Sequence, residues 1–277
     1  MKIIITSAFS KNNSGGNKAG VCTYGENLNT EQKQAIAKEL GFSETVYIST
    51  GKKGFKLEYF TPAEEVPLCG HATIAAFVVM RKLIGLEKSE YIIETKSGDF
   101  PVSFDGDLVF MEQGDPEFYD VLSRADIKNC FDIDAVHNSL PVEIGSTGLR
   151  DIMLPIKDFA TLEDMKPNFD AISAVSRKFD TVGIHAFATD GERIVCRNFA
   201  PLYDIPEESA TGTSNCVLAC YLWKNNILRK NEYLFEQGYA LGSPSEIVVR
   251  LETSGDIIKK VSVGGTGYLV GEQVVEL

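Results

Sequence analysis

The sequence predicts an α+β fold of two similar lobes, and three observations carry that reading. Ala72–Met80 is an uncharged run of Ala, Thr, Ile, Phe, Val and Met. At that density the apolar residues cover every face of a helix, and such a helix is buried. The stretch leading into it is used twice. Glu58–Arg81 reads EYFTPAEEVPLCGHATIAAFVVMR, and Ile194–Lys224 reads IVCRNFAPLYDIPEESATGTSNCVLACYLWK. Phe60-Thr61-Pro62 matches Phe199-Ala200-Pro201. Each is followed by an acidic turn, a Gly (Gly70, Gly212) and an uncharged helix. The remaining chain reads mostly as short strands parted by Gly-containing turns. Two copies are too few for a solenoid. A pseudo-symmetric pair, with its site in the cleft, is the better expectation.

Taken in order, Lys2–Phe9 reads as a strand, Asn12–Asn17 as a polar turn and Ala19–Tyr24 as a returning strand. Asn29 caps a helix over Thr30–Leu40, with Gln32 completing a capping box and Gly41 stopping it. Val46–Ser49 and Gly54–Thr61 are extended. Gly85 ends the first buried helix, and Tyr91–Thr95, Phe100–Phe104 and Leu108–Glu112 are strand candidates, the last two joined by Asp105-Gly106. The polar segment Asp115–Asp134 reads as a partly helical crossing. Strands resume at Val142–Gly145 and Ile152–Ile156, and Asp170–Lys178 is a short helix. Gly183–Thr189 and Arg193–Phe199 form a hairpin, and Thr213–Trp223 is the second buried helix. Ile247–Glu252, Ile257–Gly264 and Tyr268–Val275 close the chain as strands. The expected division is 1–118 for the first lobe and 119–261 for the second.

Composition narrows the function. The 277 residues carry a formal net charge of −12, which argues against nucleic acid and acidic membrane surfaces as partners. No apolar run approaches the ~20 residues of a membrane span. MKIIITSAFSK is too short in its apolar part for a signal peptide, so a cytoplasmic protein is expected. The six Cys contain no CxxC pair, and His71, His137 and His185 have no metal-ligand spacing. Neither a disulfide framework nor a structural metal is expected.

The candidate chemistry lies at the two helix starts. Backbone N–H groups there lack intrahelical partners and carry the positive end of the dipole. Gly70 and Gly212 let a ligand come close to that backbone. A small anion such as a carboxylate suits both, although close helix–strand packing would also use a Gly. His71, at the first start, reads as a neutral proton carrier or as a structural histidine. Glu44, at a helix-to-strand junction, reads as a solvated carboxylate or as a base. Glu208, before Thr211-Gly212, reads as a helix-start acid or as a cleft carboxylate. Cys69 could act as a dipole-lowered thiolate. A two-thiol racemase would need a Cys at the matching place, which is Thr211.

The residues also resemble a known family. Ser43-Glu44-Thr45, Phe60-Thr61-Pro62, Leu68-Cys69-Gly70-His71-Ala72-Thr73, Phe199-Ala200-Pro201 and Ala210-Thr211-Gly212-Thr213 are similar to the phenazine-biosynthesis isomerase (PhzF-like) family. So are Gln237-Gly238, Pro244-Ser245 and Val263-Gly264-Gly265, in the right order along nearly the whole chain. The resemblance implies a diaminopimelate epimerase-like fold, in which each lobe wraps a mixed sheet around its central helix and strands 262–277 return to the first lobe. It implies an isomerase without metal or organic cofactor. It makes Glu44 the acid/base and His71 its companion, with Glu208 in the place of an aspartate. Asn17, Gly70, Thr211, Gly212 and Thr213 fall at substrate-holding positions. Ser is usual at the place of Thr213, Arg at Ser243 and Pro at Lys18, so the departures touch the substrate side. A homodimer is compatible with the resemblance.

The expected function is therefore a cofactor-independent isomerase that moves a proton within a small carboxylate-bearing metabolite. The alternatives are a non-catalytic small-acid binding protein on the same fold, or an amino-acid racemase or epimerase.

Overall fold

The computed structural model describes residues 1–276. The chain forms two compact units, Met1–Glu112 with Gly264–Leu277, and Gln113–Val263.

In the first unit the strands are β1 (Lys2–Ala8), β2 (Asn17–Cys22), β3 (Glu44–Thr50), β4 (Phe55–Phe60), β5 (Glu65–Val66), β6 (Glu90–Thr95), β7 (Gly98–Asp105) and β8 (Leu108–Glu112). The helices are α1 (Thr30–Leu40) and α2 (Gly70–Ile84). The C-terminal strand Gly267–Val274 pairs antiparallel with β1, Lys2 opposite Val274. Asn29 and Gln32 form the expected capping box on α1, and Gly41 ends it in the left-handed region. Every residue of α2 from His71 to Met80 is buried, as an all-apolar surface demands. Phe77 of α2 sits among Phe55, Tyr91 and Phe104, with ring centroids 5.9–6.2 Å away. Each such buried side chain is worth roughly 1.5–3 kcal/mol.

The second unit contains β9 (Glu117–Leu122), α3 (Arg124–Ile127), β10 (Val142–Ser146), β11 (Arg150–Pro155), α4 (Phe159–Asp164), α5 (Phe169–Phe179), β12 (Gly183–Thr189), β13 (Ile194–Ala200), β14 (Ile205–Glu208), α6 (Gly212–Lys224), β15 (Glu232–Gln237) and β16 (Ser245–Ser254). The chain then runs into the strand Ile257–Gly265. On one side of the sheet Ile144, Ile152, Leu154, Ile184, Ala186 and Phe199 form a core with Leu162 and Ile172 of α4 and α5. The other helix, α6, is buried from Ser214 to Trp223.

The repeat read from the sequence is a repeat of topology. In the first unit the successive pairings are β1/β2 antiparallel, β2/β3 parallel, β3/β4 and β4/β5 antiparallel, β4/β6 parallel and β6/β7 antiparallel. In the second, β10/β11, β11/β12, β12/β13, β13/β14, β13/β15 and β15/β16 repeat that series with the same senses. Register makes residues correspond. Glu44 opens β3 opposite Ala19, and Gly183 opens β12 opposite Asp151. Thr45 pairs with Phe60, and Ile184 with Phe199. Gly183 therefore stands where Glu44 stands in the first unit. A Cβ on Gly183 would lie 2.0 Å from the Phe199 carbonyl oxygen, so no side chain fits.

Some local expectations differ from the structure. Both acidic turns contain short strands, β5 and β14, which pair with the strands preceding them. Asp115–Asp134 contributes the strand β9, whose pairing to β10 outweighs its polar composition. The short helix α4 is an addition, capped by the Asp158 side chain on Thr161 N–H. All six Cys are free and buried. No helix among the described residues is long and apolar enough to cross a membrane.

Candidate functional site

Three segments of the first unit bring Asn17, Glu44 and His71 together. Asn17 starts β2 and Glu44 starts β3, the parallel neighbour of β2. His71 is the second residue of α2, whose N-cap, Cys69, makes no side-chain cap. His71 Nε2 lies 3.1 Å from Glu44 Oε2. Its Nδ1 lies 3.5 Å from Asn17 Nδ2 and 3.5 Å from Cys69 Sγ. Burial pushes the His71 imidazole down to about 4, because a charge there loses its water. A neutral ring carries one proton. Nδ1 faces an amide NH2 and a thiol, which leaves the proton to Nε2, the nitrogen 3.1 Å from Glu44; the contact there is a close approach and not an aligned hydrogen bond.

The surroundings are joined by hydrogen bonds. Thr73 donates its hydroxyl proton to the Cys69 carbonyl at 2.7 Å, and so the buried Tyr59 hydroxyl, 2.7 Å from Thr73 Oγ1, is its donor. A Cβ on Gly70 would meet nothing within 4 Å, so the α2 start is open at that point. Glu44, Cys69 and His71 also place one possible ligand atom each within 4.8 Å of one another. His71, however, turns one ring nitrogen to the thiol and the opposite one to the carboxylate. A single cation cannot take both nitrogens, so the set is better suited to holding a proton chain.

The other candidates lie in the second unit. Thr211 is the N-cap of α6 and again makes no side-chain cap. Instead its hydroxyl donates to Glu208 Oε2 at 2.7 Å. Thr213 Oγ1 lies 3.5 Å from Gln113 Oε1. The surface helices α1, α4 and α5 all have a side-chain cap, from Asn29, Asp158 and Asn168. The two buried helices leave their first-turn N–H groups without one.

Sequence reasoning gave no role to several polar residues behind Thr211, Gln237 of the Gln237-Gly238 motif among them. Ser214 donates to the buried Asp151 at 2.6 Å, and burial pushes that carboxyl up to about 6. His185, Asn198, Asn215 and Gln237 are buried and joined by hydrogen bonds. A buried polar residue on an apolar strand or helix was the available signal, because such groups need partners.

Comparison with known proteins fits this architecture. The sequence model of a family described as "Phenazine biosynthesis-like protein" matches residues 6–273. The "Uncharacterized isomerase YddE" of Escherichia coli K12 is 32% identical, covering 98% of this chain and 97% of its own. The "Trans-2,3-dihydro-3-hydroxyanthranilate isomerase" of Pseudomonas aeruginosa is 24% identical over 98% of both. Among solved structures, a Bacillus anthracis phenazine biosynthesis protein of the PhzF family superposes with a TM-score of 0.90 at 26% identity, covering 100% of this chain and 99% of its own. A probable proline racemase from Agrobacterium radiobacter K84 shares the fold at 12% identity, with a TM-score of 0.61 over 100% of this chain and 93% of its own.

Proposed function

Because the chain belongs to the phenazine biosynthesis-like (PhzF) family and is an isomerase, we propose that Glu44 is the base that moves the proton. The observation that carries this reading is the short contact between Glu44 and a buried, neutral His71. A carboxylate beside a neutral N–H donor is held in place without being neutralised by a cation. It keeps the capacity to take a proton from carbon.

The substrate is a small carboxylate-bearing metabolite. Its C–H proton passes to the Glu44 carboxylate, and the electron pair moves into the adjoining unsaturated system. The N–H groups opening α2 favour the charge that builds there. Such a helix end contributes about 0.3–2 kcal/mol. Glu44, now a carboxylic acid, returns the proton to a different carbon and is restored. Throughout, His71 donates through Nε2–H and is not consumed. Asn17 keeps the ring in the tautomer that makes this possible. Gly70 gives the ligand access to the backbone. In the second unit Gly212 and Thr213 offer uncapped N–H groups to an anionic group, and Glu208, fixed by Thr211, serves as an auxiliary proton donor or acceptor. No step calls for a metal or organic cofactor. General acid–base transfer of this kind typically contributes 10²–10⁴-fold.

The test is a D₂O exchange screen of small amino and hydroxy carboxylates, with trans-2,3-dihydro-3-hydroxyanthranilate included. Deuterium uptake by one compound, lost in Glu44→Gln, is the expected result. Undiminished uptake in that variant would remove Glu44 from the role. A ligand that raises the unfolding temperature but never exchanges would favour a binding protein.

A further inference from the structure

Behind the α6 start lies a polar chain that the proton-transfer reading does not use. Gln237, the last residue of β15, is fully buried. Its Oε1 accepts from Thr211 N–H at 3.3 Å and from Asn215 Nδ2 at 2.9 Å. Its Nε2 donates to the Glu208 carbonyl at 2.8 Å and to Thr211 Oγ1 at 3.0 Å. All four bonds available to a primary amide are made. Turning the amide over would set its oxygen against the Glu208 carbonyl, so its orientation is fixed.

That orientation propagates in both directions. Thr211 Oγ1 receives a proton from Gln237, and its own proton points to Glu208 Oε2. Asn215 gives Nδ2 protons to Gln237 and to the Thr211 carbonyl, at 2.8 Å for the latter. Its Oδ1 is therefore an acceptor, and it faces His185 Nε2 at 3.3 Å. The His185 proton must sit on Nε2. Nδ1 lies 3.0 Å from Asn198 Oδ1, a second amide oxygen; because the Asn215 amide is fixed, a neutral ring satisfies both contacts with the Asn198 amide turned over and its NH2 toward Nδ1. His185 has no exposed surface, and burial pushes its imidazole down to about 4, in keeping with a neutral ring.

We propose that His185, Asn215 and Gln237 form a one-way hydrogen-bond relay that directs the Thr211 hydroxyl proton onto Glu208, making His185 and Gln237 positioning residues of the isomerase. Each donor in the series, His185 to Asn215 to Gln237 to Thr211 to Glu208, has one direction open to it. The relay also explains why Thr211 does not cap α6. Its hydroxyl is committed to Glu208, which leaves the first-turn N–H groups of α6 to a ligand. Gly238, next to Gln237, holds φ at 83°, and a Cβ there would lie 2.2 Å from the Ser243 carbonyl oxygen. That turn places Gln237 and tolerates only glycine.

The bearing of the relay on catalysis rests on the proton-transfer reading, but its existence is measured without a substrate. In the intact chain with ¹⁵N-labelled histidine, His185 is expected to carry its proton on Nε2 at pH 8. With ¹³C-labelled glutamate carboxyls, the Glu208 resonance, identified by its loss in Glu208→Gln, should move in Thr211→Val. His185→Leu should move it in the same direction. His185→Gln, whose amide nitrogen replaces Nε2 as donor to Asn215, should bring it back. A merely structural role for His185 would lower the unfolding temperature and leave that resonance in place. A proton on Nδ1 alone, or a Glu208 signal unmoved by His185→Leu or by Thr211→Val, would overturn the relay. The tautomer is read on the wild type, so the proposal stays testable if His185→Leu does not fold. Full exchange activity in Glu208→Gln would instead remove Glu208 from the chemistry, with the relay intact.

Discussion

Glu44 Oε2 stands 3.1 Å from His71 Nε2, and on the far side of the ring Asn17 Nδ2 and Cys69 Sγ both face Nδ1, an arrangement that favours the His71 proton on Nε2. The carboxylate thus meets an N–H dipole and no full positive charge. Glu44→Gln keeps the shape and an acceptor for that N–H but cannot take a proton. We expect exchange to fall by roughly 10²–10⁴-fold, with an unfolding midpoint near that of the wild type. Isotope uptake and thermal unfolding on the same preparations check both halves.

Asn17→Asp replaces the amide facing Nδ1 with an acceptor. The ring then gains by carrying its proton on Nδ1, and Nε2 confronts Glu44 as a second acceptor unless the ring is protonated. The expected outcome is a loss of turnover that is partly recovered toward acid pH. A pH–rate profile parallel to the wild type would show that Asn17 does not set the tautomer.

Both buried histidines couple stability to pH. Burial lowers His71 and His185 to about 4 from an unfolded value of 6.5. The unfolded chain therefore binds more protons between those values. The stability is present in full above pH 6.5 and is lost as pH falls toward 4, by up to about 3 kcal/mol for each ring. Denaturant unfolding of wild type and His185→Gln at pH 7.5 and 4.5 isolates one ring. The variant should lose less on acidification, and equal losses would contradict the assignment.

Asp151 acts with the opposite sign. Burial raises it to about 6, against the partial help of the Ser214 hydroxyl and the Gly183 N–H. Its ionisation is a penalty that is absent below about 3.8 and complete above about 6. Asp151→Asn should be more stable than wild type at pH 8 by up to about 3 kcal/mol, and the gain should shrink toward pH 4. A pH-independent difference would mean the carboxyl is not the cause.

Two glycines predict opposite outcomes from one substitution. A Cβ on Gly183 meets the Phe199 carbonyl oxygen at 2.0 Å and its carbon at 2.9 Å, both rigid backbone atoms. Gly183→Ala should cost about 3 kcal/mol or more, read as a large fall in the unfolding midpoint. A Cβ on Gly70 meets nothing within 4 Å. Gly70→Ala should fold as well as wild type or slightly better while weakening carboxylate binding, measured by calorimetry with the exchanging compound.

Most of the fold was legible because its strongest signals are local. Ten consecutive buried residues in α2 and as many in α6 announced themselves as uncharged runs, and Asn29 with Gln32 announced the α1 start. β9 was not legible, since Glu117–Leu122 is held by its pairing to β10 and only Leu122 is buried. Glu44 and His71 were visible as an odd pair of residue types at element boundaries. Their contact was not, because it depends on the start of α2 packing against β2 and β3. His185, Asn215 and Gln237 were invisible as a group. They lie on β12, α6 and β15, and hydrogen-bond direction is a property of three-dimensional geometry.

The substitution of Gly183 for Glu44 at matching places in the two repeats has a stereochemical consequence. The duplicated framework carries the carboxylate once, and the backbone of Phe199 fills the space a second would need. With Glu44 as the base that both takes and returns the proton, as proposed, the proton comes back to the face of the molecule that it left. Migration should therefore be suprafacial, and part of the label of a substrate deuterated at the donor carbon should reappear, on that same face, at the acceptor carbon of the product.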